Sequence, residues 1–366
     1  MMDGALIRAA RGQEPADLLV RDCKLVNVLS GEIHPANVAV KNGIVLGCGD
    51  YAAHEVIDAR GRYLCPGLVE GHIHVESTLL DPVRFARVVA AHGTAVVVCD
   101  PHELANVLGL AGIEWLLDIT RDLPLEMYCM MPSCVPATHL ETSGAVISAE
   151  DIRTMLARHP RRILGLAEMM NYPGVLFQDP AVLAKIEAAG LRPVDGHAPG
   201  LGGKDLNAYV LAGPASDHES CHLEEAREKL RAGVHLMIRE GSSEKNLVDL
   251  LPVVSDFNSQ NCSLVTDDRH CDDLLRQGHL DHTVRLAMSR GLAPVRAIQM
   301  ASINTARYFG LHRRGAVAPG YRADFLLLDD LTSFAISDVF LAGRRVAAQD
   351  WAPAPTAHRV TASVHL

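Results

Sequence analysis

Residues 65–78 read CPGLVEGHIHVEST, a short apolar run that ends in two histidines. His72 and His74 stand two positions apart, so in an extended segment both side chains leave the same face and can converge on one ion.

Helical stretches then alternate with further short apolar runs, and several of these stretches end in glycine, as helices often do. The further runs are TAVVVCD (94–100), EMYCMMPS (126–133), RILGLAE (162–168), LRPVDGH (191–197), ASDH (215–218), VHLMIRE (234–240) and CSLVTDD (262–268).

This alternation predicts a parallel sheet with helical crossovers. Eight strand–helix units between residues 65 and 311 match the size of a (β/α)8 TIM barrel, whose active site lies at the C-terminal ends of the strands. The count depends most on ASDH, the shortest run. A doubly wound open sheet is the alternative, but no G-x-G-x-x-G phosphate loop follows the first run. We therefore predict an α/β protein built on a barrel.

Both ends of the chain show a different pattern. Residues 17–59 contain short alternating runs interrupted by turn residues, and similar runs return in 315–330 and 337–348. We expect both termini to meet in one small β-sandwich. The predicted domains are residues 1–64 and 312–350 for the two parts of the sandwich, 65–311 for the barrel, and 351–366 for a tail.

Composition limits the possible partners. The chain has 366 residues, 48% of them hydrophobic, and a net charge of −10, which argues against a nucleic-acid or anionic-membrane surface. We expect no membrane partner, because no apolar stretch approaches the ~20 residues of a membrane span. The N-terminal sequence lacks a secretory pattern, and the nine cysteines form no C-x-x-C pair. These features predict a cytoplasmic protein with reduced cysteines and a small neutral or cationic ligand.

Four other runs also finish in residues that can bind a metal. Each of these residues falls at the C-terminal end of a predicted strand, where a barrel collects its catalytic groups. With the first two histidines they make six nitrogen and oxygen ligands, a set that suits a pair of divalent first-row metals. One carboxylate, Glu168, could bridge the two ions. The alternative, that each is an ordinary cap or loop residue, requires several coincidences. The predicted ligands are His72, His74, Glu168, His197, His218 and Asp267.

Further polar residues near the predicted strand ends are weaker candidates. His102 and Glu103 follow the second run, where they could support the ligands or face a substrate, or could only cap the next helix. A later group could also face a substrate, although a surface loop is its ordinary interpretation. This group contains Arg239, Glu240, Ser242 and Asp268.

Residues 223–233, LEEAREKLRAG, carry many charges of both signs. Glu225 and Lys229 are four residues apart, a spacing at which helical side chains form ion pairs. We expect this helix face to be solvated and to need no partner.

The metal-ligand pattern resembles that of the amidohydrolase superfamily. Many members place a carboxylated lysine after the fourth strand, where this sequence has Glu168 in LGLAEMMNYPGV (164–175). With that substitution, segments along almost the whole chain resemble bacterial adenine deaminases. The segments are PGLVEGHIHVEST (66–78), DPHELANVLG (100–109), MPSCVPAT (131–138), DGHAPGLGGKDLNAY (195–209), SDHES (216–220), REGSSEKNL (239–247) and VTDDRH (265–270). Members of this family usually continue into a further C-terminal domain that we do not find before residue 366.

The resemblance implies a hydrolase acting on C–N bonds of cyclic amidines, converting adenine to hypoxanthine and ammonia. A hydroxide held by two divalent metals would attack the ring, and Asp267 would accept and pass on its proton. Glu76 is a candidate for a second carboxylate that hydrogen-bonds a ring nitrogen, or else a helix N-terminal acid. Manganese or iron are the expected metals, with zinc or cobalt as alternatives.

Other functions stay open at this stage. The same ligands could serve a deaminase or cyclic amidohydrolase for another purine-like or heterocyclic ring, because the metal ligands do not select the ring. The chain could also be a truncated, non-catalytic paralogue that acts as a binding partner. The expected partner is a small purine, and a homo-oligomer is possible.

Overall fold

The computed structural model describes residues 4–138, 140–349 and 351. Apart from Trp351, the predicted tail 351–366 therefore lies outside the described residues. The longest described helices have 10 residues, and no described helix is long and apolar enough to cross a membrane.

Strands from both ends of the chain form one sheet. The strands are β1 (Ala16–Asn27), β2 (Glu32–Lys41), β3 (Ile44–Cys48), β4 (Ala53–Asp58), β5 (Tyr63–Pro66), β14 (Phe325–Asp330), β15 (Ala335–Leu341) and β16 (Arg344–Arg345). Their order is β16-β15-β14-β5-β1-β2-β3, and β4 pairs with β1. The ends meet where β5 lies antiparallel to β14, with Leu64 opposite Leu327. The predicted pairing of the two ends is thus observed, whereas the two-layer arrangement of a sandwich is not confirmed.

Alternating side chains of this sheet form an apolar core of their own. Leu18, Val20, Phe325 and Leu327 belong to it, and the rings of Phe325 and Phe340 stack with their centroids 4.7 Å apart. This alternation is the one seen in the sequence, because residues two apart on a strand share a face. Neither end of the chain could cover these side chains alone, so the two ends fold together.

The eight predicted runs are all strands. They are β6 (Leu68–Ile73), β7 (Thr94–Cys99), β8 (Glu126–Met131), β9 (Ile163–Met169), β10 (Val194–Gly196), β11 (Ser216–Asp217), β12 (His235–Arg239) and β13 (Cys262–Val265). All their pairings are parallel, within β6–β10 and within β11–β13. Ala215 N donates to Val194 O at 2.9 Å between the two groups, and Asp267 N donates to His72 O at 2.9 Å at the other junction. These bonds close the predicted barrel and exclude the open-sheet alternative.

Helices accompany the strands. They are α1 (Gly4–Ala10), α2 (Pro82–Ala91), α3 (His102–Leu108), α4 (Leu110–Ile119), α5 (Ala149–Arg158), α6 (Tyr172–Leu176), α7 (Pro180–Ala189), α8 (Gly203–Ala212), α9 (Leu223–Arg231), α10 (Leu247–Leu250), α11 (Cys271–Arg276), α12 (Leu280–Ser289), α13 (Pro294–Met300) and α14 (Ile303–Tyr308). Side chains cap some of their first turns: Ser148 and Asp151 form a capping box at the start of α5, and Asp81 caps α2 just before Pro82.

His235, at the start of β12, makes the stability of the barrel depend on pH. Its ring is buried, stacks on Tyr308, and has Nε2 2.7 Å from Ser263 Oγ. Burial lowers the pKa of His235 from 6.5 to about 3. Below pH 6.5 the unfolded chain therefore takes up a proton that the folded chain does not, so stability falls as the pH falls.

We expect the free energy of unfolding to fall between pH 7 and pH 5 by about 2 kcal/mol more in the parent than in His235→Gln, which does not titrate. Urea unfolding of both proteins at both pH values measures this difference. An identical pH dependence would mean that His235 is not buried in its neutral form.

Candidate metal centre

The first group of predicted ligands meets at the C-terminal ends of β6, β9 and β13. His74 Nε2 lies 3.5 Å from Glu168 Oε1 and 3.3 Å from Asp267 Oδ1. His72 Nε2 lies 3.6 Å from the same Asp267 oxygen. All four side chains are buried. His72, His74 and Asp267 can each place one ligand atom within 4.8 Å of the others, which is close enough for one cation to bind all three.

The second group shares the carboxylate of Glu168. Its other oxygen, Oε2, is 2.5 Å from His197 Nδ1 and 3.1 Å from His218 Nε2. Glu168 Oε1 therefore faces His74, whereas Oε2 faces His197 and His218. The structure brings all six predicted ligands together, with Glu168 between the two groups.

Local backbone features set these positions. The pairing of β6 with β7 shifts between Glu70 and Ile73, just where the histidines begin. Glu70 accepts hydrogen bonds from His72 N at 3.0 Å and from Thr266 N at 3.1 Å, so it holds the two strand ends side by side. At Gly196 a side-chain carbon would collide with Ser216 O, so only glycine lets β10 approach β11 this closely.

The donor set fits divalent cations. His74 Nδ1 is 3.0 Å from Asp100 O, which can only accept, so Nδ1 carries the proton and Nε2 is free to ligate. His72 Nε2 is buried and has no hydrogen-bond partner among the described residues.

His102 and Glu103, in the first turn of α3, both face this cluster. His102 Nδ1 lies 3.2 Å from Asp100 Oδ2 and 3.3 Å from Glu168 Oε1. Burial alone would lower the pKa of His102, but the charge of Asp100 raises it to about 11. Glu103 lies 3.3 Å from His102 Nε2 and 3.5 Å from His74 Nδ1. Neither side chain caps its own helix.

Two roles were considered for Glu76, a helix N-terminal acid and a carboxylate that hydrogen-bonds a substrate ring, and the side chain has a feature of each. Its Oε1 accepts from Leu104 N at 3.0 Å in the first turn of α3, as a helix N-terminal acid does. Its Oε2 is buried and has no hydrogen-bond partner in the described chain. Burial raises the pKa of Glu76 to about 7. One oxygen thus has a structural role, and the other is available.

The residues after β12 and β13 divide into two kinds. Arg239 is buried and its guanidinium contacts Asp267 Oδ2, so a surface loop is the wrong interpretation for it. Asp268 accepts a hydrogen bond from Ser77 Oγ beside the cluster. Ser242 instead donates to Asp273 at 2.6 Å and accepts from His270 N at 2.9 Å, which are bonds within the loops.

Comparison with known sequences agrees with this geometry. The sequence model of the amidohydrolase family matches residues 63–346. The chain belongs to the amidohydrolase family. An adenine deaminase of Oleidesulfovibrio alaskensis is 62% identical over 342 residues, and one of Dehalococcoides mccartyi is 54% identical over 343. Each alignment covers 93% of this chain and 60% of the relative, so the chain spans less than two thirds of their length.

Solved structures support the fold. The crystal structure of an adenine deaminase superposes with a TM-score of 0.64 at 15% identity, covering 90% of this chain and 99% of that one. At this identity the likeness shows a shared fold only.

Two acidic residues of this amidohydrolase site were not predicted. Glu219 pairs with Arg239 through both oxygens, at 2.6 and 2.9 Å, and lies 3.5 Å from His218 Nε2. Asp100 is the last residue of the run TAVVVCD. The predicted ligands were chosen because they lie at this same C-terminal position of their own runs. The position of Asp100 could therefore have identified it. Glu219 directly follows a predicted ligand, but its contact with Arg239 joins two different strands.

The prediction for Lys229 was wrong. Its pair with Glu225 exists, at 2.8 Å, but Lys229 is fully buried rather than solvated. Its ammonium also lies 2.9 Å from Asp217 Oδ2 and donates to Ala198 O at 2.7 Å. Helical spacing reveals which side chains share a face, but not what that face packs against. Lys229 links the segments that carry His197 and His218.

Proposed function

We propose that this chain binds two divalent metal ions and hydrolyses adenine to hypoxanthine and ammonia. The observation that carries the proposal is the position of Glu168, whose two oxygens face His74 and the pair of His197 and His218. The adenine deaminases with 62% and 54% identity support adenine as the substrate. Manganese or iron is our first expectation for the metals, with zinc or cobalt as alternatives.

Two metals bound here would lower the pKa of a water molecule towards ~7 and so supply a nucleophile at neutral pH. Asp267 is placed to accept the proton of that water, because Oδ1 faces the histidines while Arg239 holds Oδ2. Asp267 can then release the proton towards the ring or the departing amine, which must leave as ammonia.

The free oxygen of Glu76 offers an acceptor for an N–H group of the ring. Glu103 Oε2 is likewise without a hydrogen-bond partner among the described residues. Both carboxylates can only accept hydrogen bonds when ionised, so together they favour a ring edge that carries N–H donors. Adenine has such donors on its exocyclic amine and its five-membered ring.

The proposal is tested by ammonia release from adenine after the protein is stripped of metal and reloaded with known amounts of Mn²⁺ or Fe²⁺. We expect release to require close to two equivalents of metal. Guanine is compared by the same assay, and the metal-free protein is the control. An N6-substituted adenine would release a substituted amine and a hydantoin would open without releasing ammonia, so the loss of these two substrates is measured directly. No release from adenine with two equivalents bound, or faster turnover of another ring, would contradict the assignment.

Several predictions from the sequence stay predictions. They are the domain boundaries at residues 64, 311 and 350, the cytoplasmic location, a homo-oligomer, and the lack of nucleic-acid and membrane partners.

A further inference from the structure

The backbone of Asp267 is held in an unusual conformation. Its φ is 58°, in the left-handed region that residues other than glycine rarely adopt. Such a conformation costs free energy and persists only where the surrounding structure imposes it. Asp267 N donates to His72 O at 2.9 Å, which fixes the backbone, and Oδ1 faces the ring nitrogens of His72 and His74. The other oxygen, Oδ2, contacts Arg239.

Arg239 is itself fixed by a second carboxylate. Both oxygens of Glu219 accept hydrogen bonds from its guanidinium, at 2.6 and 2.9 Å. A bidentate pair of this kind fixes the plane of the guanidinium as well as its position. We call Glu219 and Arg239 together the carboxylate clamp, because they hold one oxygen of Asp267.

Asn246, just before α10, connects the two members of the carboxylate clamp. Its side-chain oxygen accepts from Arg239 N at 2.8 Å, and its own backbone N donates to Arg239 O at 3.1 Å. Its side-chain nitrogen donates to His218 O at 3.0 Å and to Ser220 O at 2.9 Å, the two carbonyls that flank Glu219 in the chain. The side chain is buried, and an amide supplies the acceptor and the two donors that these bonds require. One side chain thus fixes the backbone of both members.

A close approach of two loops places the carboxylate clamp beside Asp267. A side-chain carbon at Gly241 would lie 2.8 Å from Asp268 O and 2.9 Å from Thr266 O, the carbonyls on either side of Asp267. Only glycine permits this approach. The backbone that follows Arg239 therefore packs directly against the segment that carries Asp267, so a shift of one moves the other.

We propose that Asn246 is a positioning residue for the hydrolysis of adenine, because it holds Glu219 and Arg239 in place and, through them, the carboxylate of Asp267. A carboxylate accepts a proton efficiently only when an oxygen points at the donor, so a rotated Asp267 would slow the reaction without weakening the binding of the ring. This inference rests on the proposed function. It can nevertheless fail while the parent still turns over adenine, so the two can be tested separately.

The experiment compares Asn246→Ala with the matched control Asn304→Ala. Asn304 is also buried, and its side-chain nitrogen also donates to two backbone carbonyls, Ser259 O at 2.8 Å and Cys262 O at 3.1 Å. These carbonyls lie at the start of β13, whereas Asp267 follows the end of that strand. Each protein is loaded with Mn²⁺ and analysed for kcat and KM with adenine, for metal content, and for its midpoint of unfolding in urea.

We expect both variants to lose a similar amount of stability, because each leaves buried carbonyls without a donor. In Asn246→Ala, kcat should fall about 10- to 100-fold, since a misplacement of about 1 Å can cost on the order of 100-fold in rate. In Asn304→Ala, kcat should stay within a few-fold of the parent. KM and metal content should stay close to the parent in both. Equal kcat in the two variants, or a change in KM or metal content alone, would overturn the proposal.

A double-mutant cycle with Glu219→Gln tests whether Asn246 acts through the carboxylate clamp. Glu219→Gln removes one of the two acceptor oxygens and should also lower kcat. Adding Asn246→Ala should then lower kcat no more than a few-fold further, because Arg239 is already released. Effects that multiply, or an unchanged kcat in Glu219→Gln, would overturn the proposal.

If Asn246→Ala does not fold, Asn246→Asp is used under the same criteria, because it keeps the acceptor for Arg239 N and loses both donors. A parent protein that does not turn over adenine would overturn the proposed function together with this inference. An active parent with multiplying effects in the cycle would overturn the role of Asn246 alone.

Discussion

Replacing Asp267 with Asn should lower the turnover of adenine about 10²- to 10⁴-fold, the usual effect of losing a general acid or base. Asn keeps an oxygen of similar reach next to the histidines, and the other five ligands remain, so much of the metal should stay bound. Asn cannot accept a proton from water and pass it on. Turnover should therefore fall much further than metal content, and both are measured on the same preparation.

Asp273→Asn is a matched control for this experiment. Asp273 belongs to the following helix, α11, and accepts a hydrogen bond from Ser242 rather than contacting the ligands. We expect its turnover to stay close to that of the parent. If Asp267→Asn also stays within a few-fold of the parent with both metals bound, another group carries the proton, and Glu76 would be examined next.

Replacing Lys229 with Met should lower the free energy of unfolding by about 3–5 kcal/mol, the usual cost of removing one partner from a buried ion pair. The change leaves Asp217 buried without its cation, and it also removes the bond to Ala198 O. Because these contacts join the segments carrying His197 and His218, the variant should also bind less metal. Urea unfolding and metal analysis measure the two effects.

The surface variant Lys204→Met gives the matched control, with an expected change within about 0.5 kcal/mol. Adding Asp217→Asn to Lys229→Met should recover part of the lost stability, because it removes the unpaired charge and keeps an oxygen for Ala198 N, which donates to Asp217 at 3.0 Å. A Lys229→Met protein as stable as the Lys204→Met protein would show that the buried pair contributes little.

The barrel could be predicted from the sequence because its pattern is local. Each strand is a short apolar run, each helix has its own spacing and end residues, and parallel strands bring their C-terminal ends to one face. Asp100 obeys this rule as well, because it ends the second run just as the predicted ligands end theirs. The rule alone is enough to group the six predicted ligands, which are His72, His74, Glu168, His197, His218 and Asp267.

Contacts between distant segments could not be read from local patterns. Arg239 joins Glu219 to Asp267, and Lys229 joins Asp217 to Ala198, across strands that are neighbours only after the barrel has closed. The sequence alone determined which side chains reach the C-terminal ends of the strands. Only the tertiary structure decided which of these charges are buried against each other. Burial depends on the segment against which each face packs, and the spacing of residues along the chain does not specify that segment.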